Sequence, residues 1–315
     1  MKKKILLTGG YGFLGNQVFN ELSIKYNVIR FRSAEVDLTE IKVFDAYLKK
    51  IQPDVVINMA ARLGGIGDNI KNPLAYYETN LNIGLNLLDA CKRHELEHVI
   101  NIGTVCSYPK RPSIPFLEDE LWNGLPEESN MYYGLAKRTI IDYGMVLNKV
   151  NNMPISNLLL ANLYGIGDDF RDKTSHVIPA IIKKVESLNP DDILEVWGDG
   201  TPTRDFLNVK DAARIIREFV DQGFKISSPI NIGTGIETSI NEVVSIILTN
   251  YKKTKNKINH KITKPNGQPR RVLNIEKLVN LYSVKTEIRI KEGIEETINW
   301  YKSNKKHIVK LKDKY

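Results

Sequence analysis

The 315 residues carry 45 Lys and Arg against 37 Asp and Glu, a net charge of +8, with 42% apolar and 26% charged residues. That balance is ordinary for a globular protein and excludes disordered and fibrous classes, and the length gives a soft expectation of about two domains. No apolar run approaches the roughly 18 residues a membrane-spanning helix needs, and two cysteines with five scattered histidines offer neither a disulfide framework nor metal-ligand spacing.

The start, Met1-Lys2-Lys3-Lys4, is charged, but the apolar stretch after it is short and runs into Gly9-Gly10. Export is not expected, and a cytoplasmic protein is. Short β-branched runs then alternate with amphipathic stretches, which predicts βαβ units and a parallel sheet. Strands are expected at Lys4–Thr8, Asn27–Phe31, Asp54–Ala60, His98–Gly103 and Ile155–Leu160, and helices near Gly15–Ile24, Ile41–Ile51, Pro73–His94 and Tyr133–Val150. Beyond Tyr164 the pattern loosens into proline-bounded segments, with one more strand-like run at Pro229–Gly233. The expected fold is α/β, a doubly wound parallel Rossmann sheet over residues 1–165. A smaller α/β substrate-binding domain follows over 166–301, with some segments returning to the first. In 302–315, six lysines face a single acid, Asp313. Much of the excess charge is therefore a basic tail, not a nucleic-acid face. The remainder suits an anionic small molecule.

Gly9, Gly12 and Gly15 give Gly-x-x-Gly-x-x-Gly where the first strand meets the first helix, with Phe13 and Leu14 inside it. Glycines there let backbone N–H groups approach a pyrophosphate at a helix N-terminus, so dinucleotide binding is expected. The second strand ends Ile29-Arg30-Phe31-Arg32, basic where an NAD site usually places an acid. Two guanidiniums suit a 2′-phosphate, and NADP(H) is the expected cofactor. The alternative is that one arginine merely faces solvent.

Tyr133 and Lys137 are four residues apart and share a helix face. An ammonium beside a phenol stabilises phenolate and tunes a proton donor. Thr104 ends the fourth strand, where open α/β sheets gather their chemistry. Its hydroxyl is placed for the same substrate oxygen. A lone strand-end cysteine such as Cys106 is usually a small core residue, and Cys91 on an apolar helix face is read as structural.

Glycine loop, strand-end hydroxyl and Tyr-x-x-x-Lys in this order resemble the extended branch of the short-chain dehydrogenase/reductase superfamily. Asn58-Met59-Ala60-Ala61 and Asn80-Leu81-Asn82-Ile83-Gly84 add to the match. Arg62-Leu63-Gly64-Gly65-Ile66, Cys106-Ser107-Tyr108-Pro109-Lys110, Asn162-Leu163-Tyr164-Gly165, Ser175-His176-Val177-Ile178-Pro179-Ala180, Trp197 to Phe206 and Lys264 to Arg270 narrow it. That series resembles the GDP-L-fucose synthase family, the GDP-4-keto-6-deoxy-D-mannose 3,5-epimerase/4-reductases.

The resemblance implies that Cys106 removes protons from C3 and C5 and that His176 returns them from the opposite face. Thr104 and Tyr133 would hold the enolate oxygen, and Tyr133 would protonate O4 with Lys137 tuning it. It also implies that Ala60, Ala61, Asn162, Leu163, His176 and Lys137 line the cofactor. Lys184, Trp197, Arg204 and Asn266 would grip a GDP-sugar, Trp197 being equally readable as a core residue, and the chain would pair as a homodimer. Thr104 for serine, Tyr11 for arginine, Asn266 for an acid and Met131-Tyr132 before the catalytic tyrosine depart from the family pattern. They leave room for a related keto-sugar such as a 6-deoxy-heptose, for an enzyme with only the epimerase or only the reductase half, and for a non-catalytic NADP sensor.

Overall fold

A computed structural model describes residues 2–172, 174–224, 226, 228–263 and 267–312. Strands β1 (Lys4–Thr8), β2 (Asn27–Arg30), β3 (Val55–Asn58), β4 (His98–Thr104) and β5 (Ile155–Leu160) alternate with helices α1 (Phe13–Ser23), α2 (Ile41–Ile51), α3 (Ile66–Lys71), α4 (Pro73–Arg93) and α5 (Met131–Asn151). β6 (Asn162–Tyr164), α6 (Val177–Ser187), β7 (Leu194–Trp197), β8 (Thr203–Arg204), β9 (Phe206–Asn208), α7 (Val209–Gln222) and β10 (Ile230–Ile232) follow. The chain continues through β11 (Thr238–Ser239), α8 (Ile240–Asn250), β12 (Ile258–Lys261), β13 (Arg270–Arg271), α9 (Glu276–Tyr282) and α10 (Ile290–Lys312).

The central sheet is parallel, in the order β10-β5-β4-β3-β1-β2. Its strands are apolar on both faces because helices cover both. Ile5 and Leu7 pack in one core with α1 and α7, whereas Leu6, between them, packs in a second core with α2, α4 and α5. The strand order reverses between β1 and β3, which puts a ligand crevice at their carboxyl ends.

A buried polar row crosses the sheet just below those ends. Thr8, Asn58, Asn101 and Asn157 are register partners on β1, β3, β4 and β5. Thr8 Oγ1 donates to Asn58 Oδ1 (2.9 Å), Asn58 Nδ2 to Asn101 Oδ1 (3.0 Å) and Asn101 Nδ2 to Asn157 Oδ1 (2.8 Å). A one-residue slip would turn each amide to the other face and leave it unpaired. The row therefore fixes the relative height of the strand ends that carry the site. It also explains why β3 stops at Asn58, short of the expected Ala60: the Ala60 N–H leaves the ladder to reach Thr8 Oγ1 (3.3 Å).

Short strands and α6, α8 and α10 build a second lobe around a third core that includes Tyr164, Phe170, Ile182, Val244 and Ile298. β10 returns to the main sheet, and a separate Phe116–Leu273 bridge ties the stretch before α9 to the loop after β4. The six-residue α3 is too short to announce itself by periodicity. The segment expected as a basic tail continues α10 as far as Lys312, anchored by Ile294, Ile298 and Tyr301 in the third core.

Candidate active site

The glycine loop is shaped for close backbone approach. Gly9 adopts φ +65°, and a Cβ at Gly15 would lie 2.2 Å from the Gly9 carbonyl oxygen, so no side chain fits there. Gly12 caps α1 without any side-chain hydrogen bond, and the first turn has no acid. Among the described residues no side chain caps the first N–H groups of this helix, so Phe13, Leu14 and Gly15 offer a positive helix end, which is what a pyrophosphate requires. A Cβ on Gly9 would meet Ala60 N at 2.9 Å, so the loop rests directly on the Ala60-Ala61 segment after β3.

Arg30, which ends β2, and Arg32, just beyond it, differ. Arg30 donates to Gly10 O (3.0 Å) and Asn16 Oδ1 (2.8 Å) and stacks on Phe19 and Tyr11, 3.7 and 4.1 Å from their ring centroids. It is built into the loop. Arg32 is exposed and lies 4.2 Å from the Tyr11 centroid, and its guanidinium has no hydrogen bond among the described residues. Tyr11, at the position the family pattern gives to arginine, serves as the rail for Arg32. Arg32→Ala is expected to raise KM for NADPH roughly tenfold or more and to leave KM for NADH within about twofold, since a charge-assisted bond to the 2′-phosphate is worth about 1.5–3 kcal/mol. Steady-state kinetics with both cofactors measure this, and an equal change for both would refute it.

Tyr133 and Lys137 lie in the first two turns of α5, which is packed hard against the turn after β4. A Cβ at Gly134 would be 2.3 Å from the Cys106 carbonyl oxygen. One turn on, the buried Arg138 donates from Nε to Ser107 O (2.9 Å) and from Nη1 to Gly124 O (2.8 Å). Thr104 Oγ1 accepts the Cys106 N–H (3.2 Å), and its hydroxyl is near enough to the Tyr133 phenol to act on its ionisation. Thr104 and Cys106 therefore share the turn after β4, and α5 sets Tyr133 against it.

Burial, with the neighbouring Cys106 adding to it, pushes the Tyr133 phenol above its ordinary value, and the nearby Thr104 hydroxyl opposes this. Burial alone draws Lys137 down to about 8. The expectation that the ammonium lowers the phenol is thus overridden by desolvation, and the phenol stays protonated at neutral pH, as a donor must. Below pH 8 the buried Lys137 charge destabilises the fold. That penalty disappears between pH 8 and the ordinary lysine value of 10.5, where the unfolded chain binds the proton and the folded one does not. The ammonium itself is lost above 8. The reductive kcat is expected to decline above about pH 8, and a profile flat to pH 10 would contradict this assignment.

Cys106 has a partner that composition could not announce. Arg271 Nη1 lies 3.7 Å from its Sγ, with Arg271 Nε held by Gln268 Oε1 (3.0 Å) and Gln268 Nε2 tied to Lys110 O (3.0 Å). Arg204 on β8 is the register partner of Arg271 on β13, which sets two guanidiniums side by side. Burial and the Arg271 charge push Arg204 below its ordinary value, and the guanidinium nevertheless stays charged. Its Nη1 donates to Thr203 O (2.7 Å) and Gln268 O (2.6 Å). Next to them Arg270 turns outward to Glu237, so strand alternation decides which arginine serves the site.

His176 caps α6 and faces the buried Asp168, and no contact among the described residues joins it to Cys106 or Tyr133. Asn162 and Leu163 form the start of β6, and the Asn162 Oδ1 is buried without a partner among the described residues. Lys184 Nζ donates to Glu195 O (2.9 Å), and burial lowers its value. Trp197, on the same β7, is 63% exposed, which removes the core reading of that residue. Asn266 lies outside the described residues. Cys91 is fully buried and its thiol is pushed up by burial, as a structural cysteine's would be. Arg271, Gln268, Arg138 and Asp168 are the residues sequence reasoning missed. Only the doubled Arg270-Arg271 on a short strand hinted at them.

A doubly wound sheet with a glycine loop, a half-buried Tyr beside a buried Lys and a strand-end hydroxyl defines a dinucleotide-dependent dehydrogenase or epimerase. The chain belongs to the NAD dependent epimerase/dehydratase family, whose model matches residues 5–233, and within it to the GDP-L-fucose synthase family. It is 32% identical to the GDP-L-colitose synthase of Yersinia pseudotuberculosis over 96% of this chain and 99% of that one. It is 30% identical to the GDP-L-fucose synthase of Azorhizobium caulinodans, covering 95% and 96%. Among solved structures, a GDP-L-fucose synthetase from Naegleria fowleri bound to NADP superposes with a TM-score of 0.87 at 26% identity, over 96% of this chain and 94% of that one.

Proposed function

We propose that the protein is an NADPH-dependent epimerase–reductase that converts GDP-4-keto-6-deoxy-D-mannose to GDP-L-fucose. The observation that carries this is that α5 sets the half-buried Tyr133 phenol against the turn that holds the Thr104 hydroxyl and the Cys106 thiol, where one ketone and its flanking carbons could meet all three. A reductase alone needs the hydroxyl and the phenol. The thiol beside a guanidinium is useful only if a proton is also removed from carbon.

Thr104 and Tyr133 bind O4 of the keto-sugar, so charge that develops there when an adjacent C–H is lost meets two hydrogen-bond donors. Cys106 takes the proton from C3 or C5, and His176 returns one from the opposite face of the ring. NADPH, held by the glycine loop with Arg32 at its 2′-phosphate and by Ala60, Ala61, Asn162, Leu163 and Lys137, supplies the hydride for C4. Tyr133 then protonates O4. Lys184, Arg204 and Asn266 suit the diphosphate and nucleotide, and exposed Trp197 offers a ring face.

The relative named GDP-L-colitose synthase matches at least as well as those named for fucose, so the sugar is the variable term of this reading. Incubation with GDP-4-keto-6-deoxy-D-mannose in D2O, with and without NADPH, tests it. Deuterium at C3 and C5 together with NADPH oxidation is expected. Deuterium at one carbon would define a single-centre relative, none would overturn the epimerase, and no NADPH oxidation would overturn the reductase.

The chain is also expected to act as a homodimer through α4 and α5, where Leu74, Val146 and Val150 are exposed apolar residues. Sedimentation at micromolar concentration reads this out. Cys106 must remain a free thiol, which suits the reducing cytoplasm. No helix of the described residues is long and apolar enough to cross a membrane.

A further inference from the structure

The geometry points to Asp168 as a positioning residue that holds the His176 imidazole by Nδ1, so that its Nε2–H is the bond presented to the substrate carbon. The inference deepens the proposed function, since it rests on His176 being the acid of that reaction.

Asp168 sits in the loop between β6 and α6, where Gly165 (φ +141°) and Gly167 (φ +85°) take backbone conformations that suit glycine, and its N–H bonds back to Gly165 O (3.3 Å). It is 5% exposed, while the His176 side chain it faces is 64% exposed. Oδ1 accepts the Asp169 N–H (2.7 Å) and lies 3.4 Å from His176 Nδ1, and Oδ2 is buried with no partner among the described residues. A carboxylate taken out of water with half of its acceptor capacity unused is costly unless a positive partner faces it. The imidazole is such a partner. It carries the positive charge only when Nδ1 bears a proton, so the pair selects one tautomer in the neutral state and favours the cation.

The charged groups acting on His176 are Asp168 and Asp169. Asp169 is itself engaged by Arg171 (2.9 Å) and Thr174, which leaves Asp168 as the group on the ring. The Asp168 bond, the largest cause, raises the His176 value above the ordinary one. Without a carboxylate, an exposed histidine would lose its proton near pH 6.5, too early for an acid that works at neutral pH.

In the step itself the enolate carbon takes the Nε2 proton. A C–H bond forms, the N–H bond breaks, its electron pair stays on Nε2, and the ring becomes neutral imidazole still bonded through Nδ1–H to Asp168. Solvent water reprotonates Nε2. The carboxylate gains no proton at any stage.

The test uses Asp168→Asn, which keeps the shape and removes the charge, with folding checked by thermal melting. His176 is followed by proton NMR titration, assigned through loss of its signal in His176→Asn, and deuterium entry at C3 and C5 is followed against pH without NADPH. In the parent protein the His176 midpoint is expected above that of an ordinary histidine. In Asp168→Asn it should fall, and deuterium entry at pH 7.5 should drop roughly 10–100-fold, by analogy with loss of an outer partner behind a ligating histidine. The alkaline limb of the exchange profile should move down in pH with the midpoint. NADPH oxidation with a sugar already inverted at both carbons should stay within about threefold, because Tyr133 is untouched. An unchanged His176 midpoint in Asp168→Asn overturns the inference. If that variant does not fold, a parent midpoint at or below the ordinary value overturns it alone. A parent protein that exchanges no deuterium would refute the proposed function, while the titration would still decide the Asp168–His176 pair.

Discussion

Tyr133→Phe is expected to reduce NADPH oxidation with the keto-sugar by roughly 10²–10⁴-fold, the range lost with a general acid. The ring stays in its packed position on α5, so the substitution removes one hydroxyl and no volume from the core. Thr104 Oγ1 keeps the Cys106 N–H as a partner. The stability loss should therefore be small, at most about 1 kcal/mol. Lys137 cannot substitute as donor at the same oxygen, since it lies one turn further along α5. Rapid-mixing measurement of NADPH oxidation, with thermal melting to establish folding, gives the answer. A loss below about threefold would remove Tyr133 from the chemistry.

Cys106→Ala is expected to lower deuterium entry at C3 and C5 by a comparable roughly 10²–10⁴-fold, because a general base is lost. Reduction of a sugar that needs no inversion should be almost unaffected. The two halves of the reaction separate here because the thiol touches Arg271 and the Tyr133 neighbourhood, while the hydride-accepting carbon is served by the phenol. Cys91→Ala is the matched control: it lies in the core against α2 and β1, and its loss should reduce stability and leave exchange unchanged. If Cys106→Ala retained parental exchange, another group would have to be the base. If Cys91→Ala abolished exchange in a folded protein, the assignment of the two cysteines would be reversed.

The fold was largely legible because its causes are local. Val55-Val56-Ile57-Asn58 and Ile155 to Leu160 are apolar runs short enough to be strands, and the helical stretches between them are long enough to show a 3.6-residue period. Six-residue α3 and the two-residue strands β8, β11 and β13 carry no such signal. The second lobe was visible only as a loss of regularity.

The site divides in the same way. Gly9, Gly12, Gly15 and Thr104 are close in sequence to the strand ends that position them, and Tyr133 and Lys137 share a helix face by their own spacing, so their pattern predicts their place. Arg271 is 165 residues from Cys106, and they meet because β13 lies beside β8 and Phe116 pairs with Leu273. No spacing rule contains that contact. The roles of Arg30 and Arg32 were likewise undecidable from two basic residues in a row of four. Tertiary packing on Phe19 and Tyr11 makes one of them structural and leaves the other outward.

The sequence by itself determined the parallel α/β scaffold, the glycine loop and the phenol–ammonium pair. Each is set by local periodicity or by a conformation only glycine adopts. Tertiary structure alone decided that the phenol is raised and the ammonium lowered to about 8, that the thiol has a guanidinium against it, and that His176 faces a buried carboxylate. Those properties depend on desolvation and on contacts that exist only in the folded chain, as between Arg271 and Cys106, 165 residues apart.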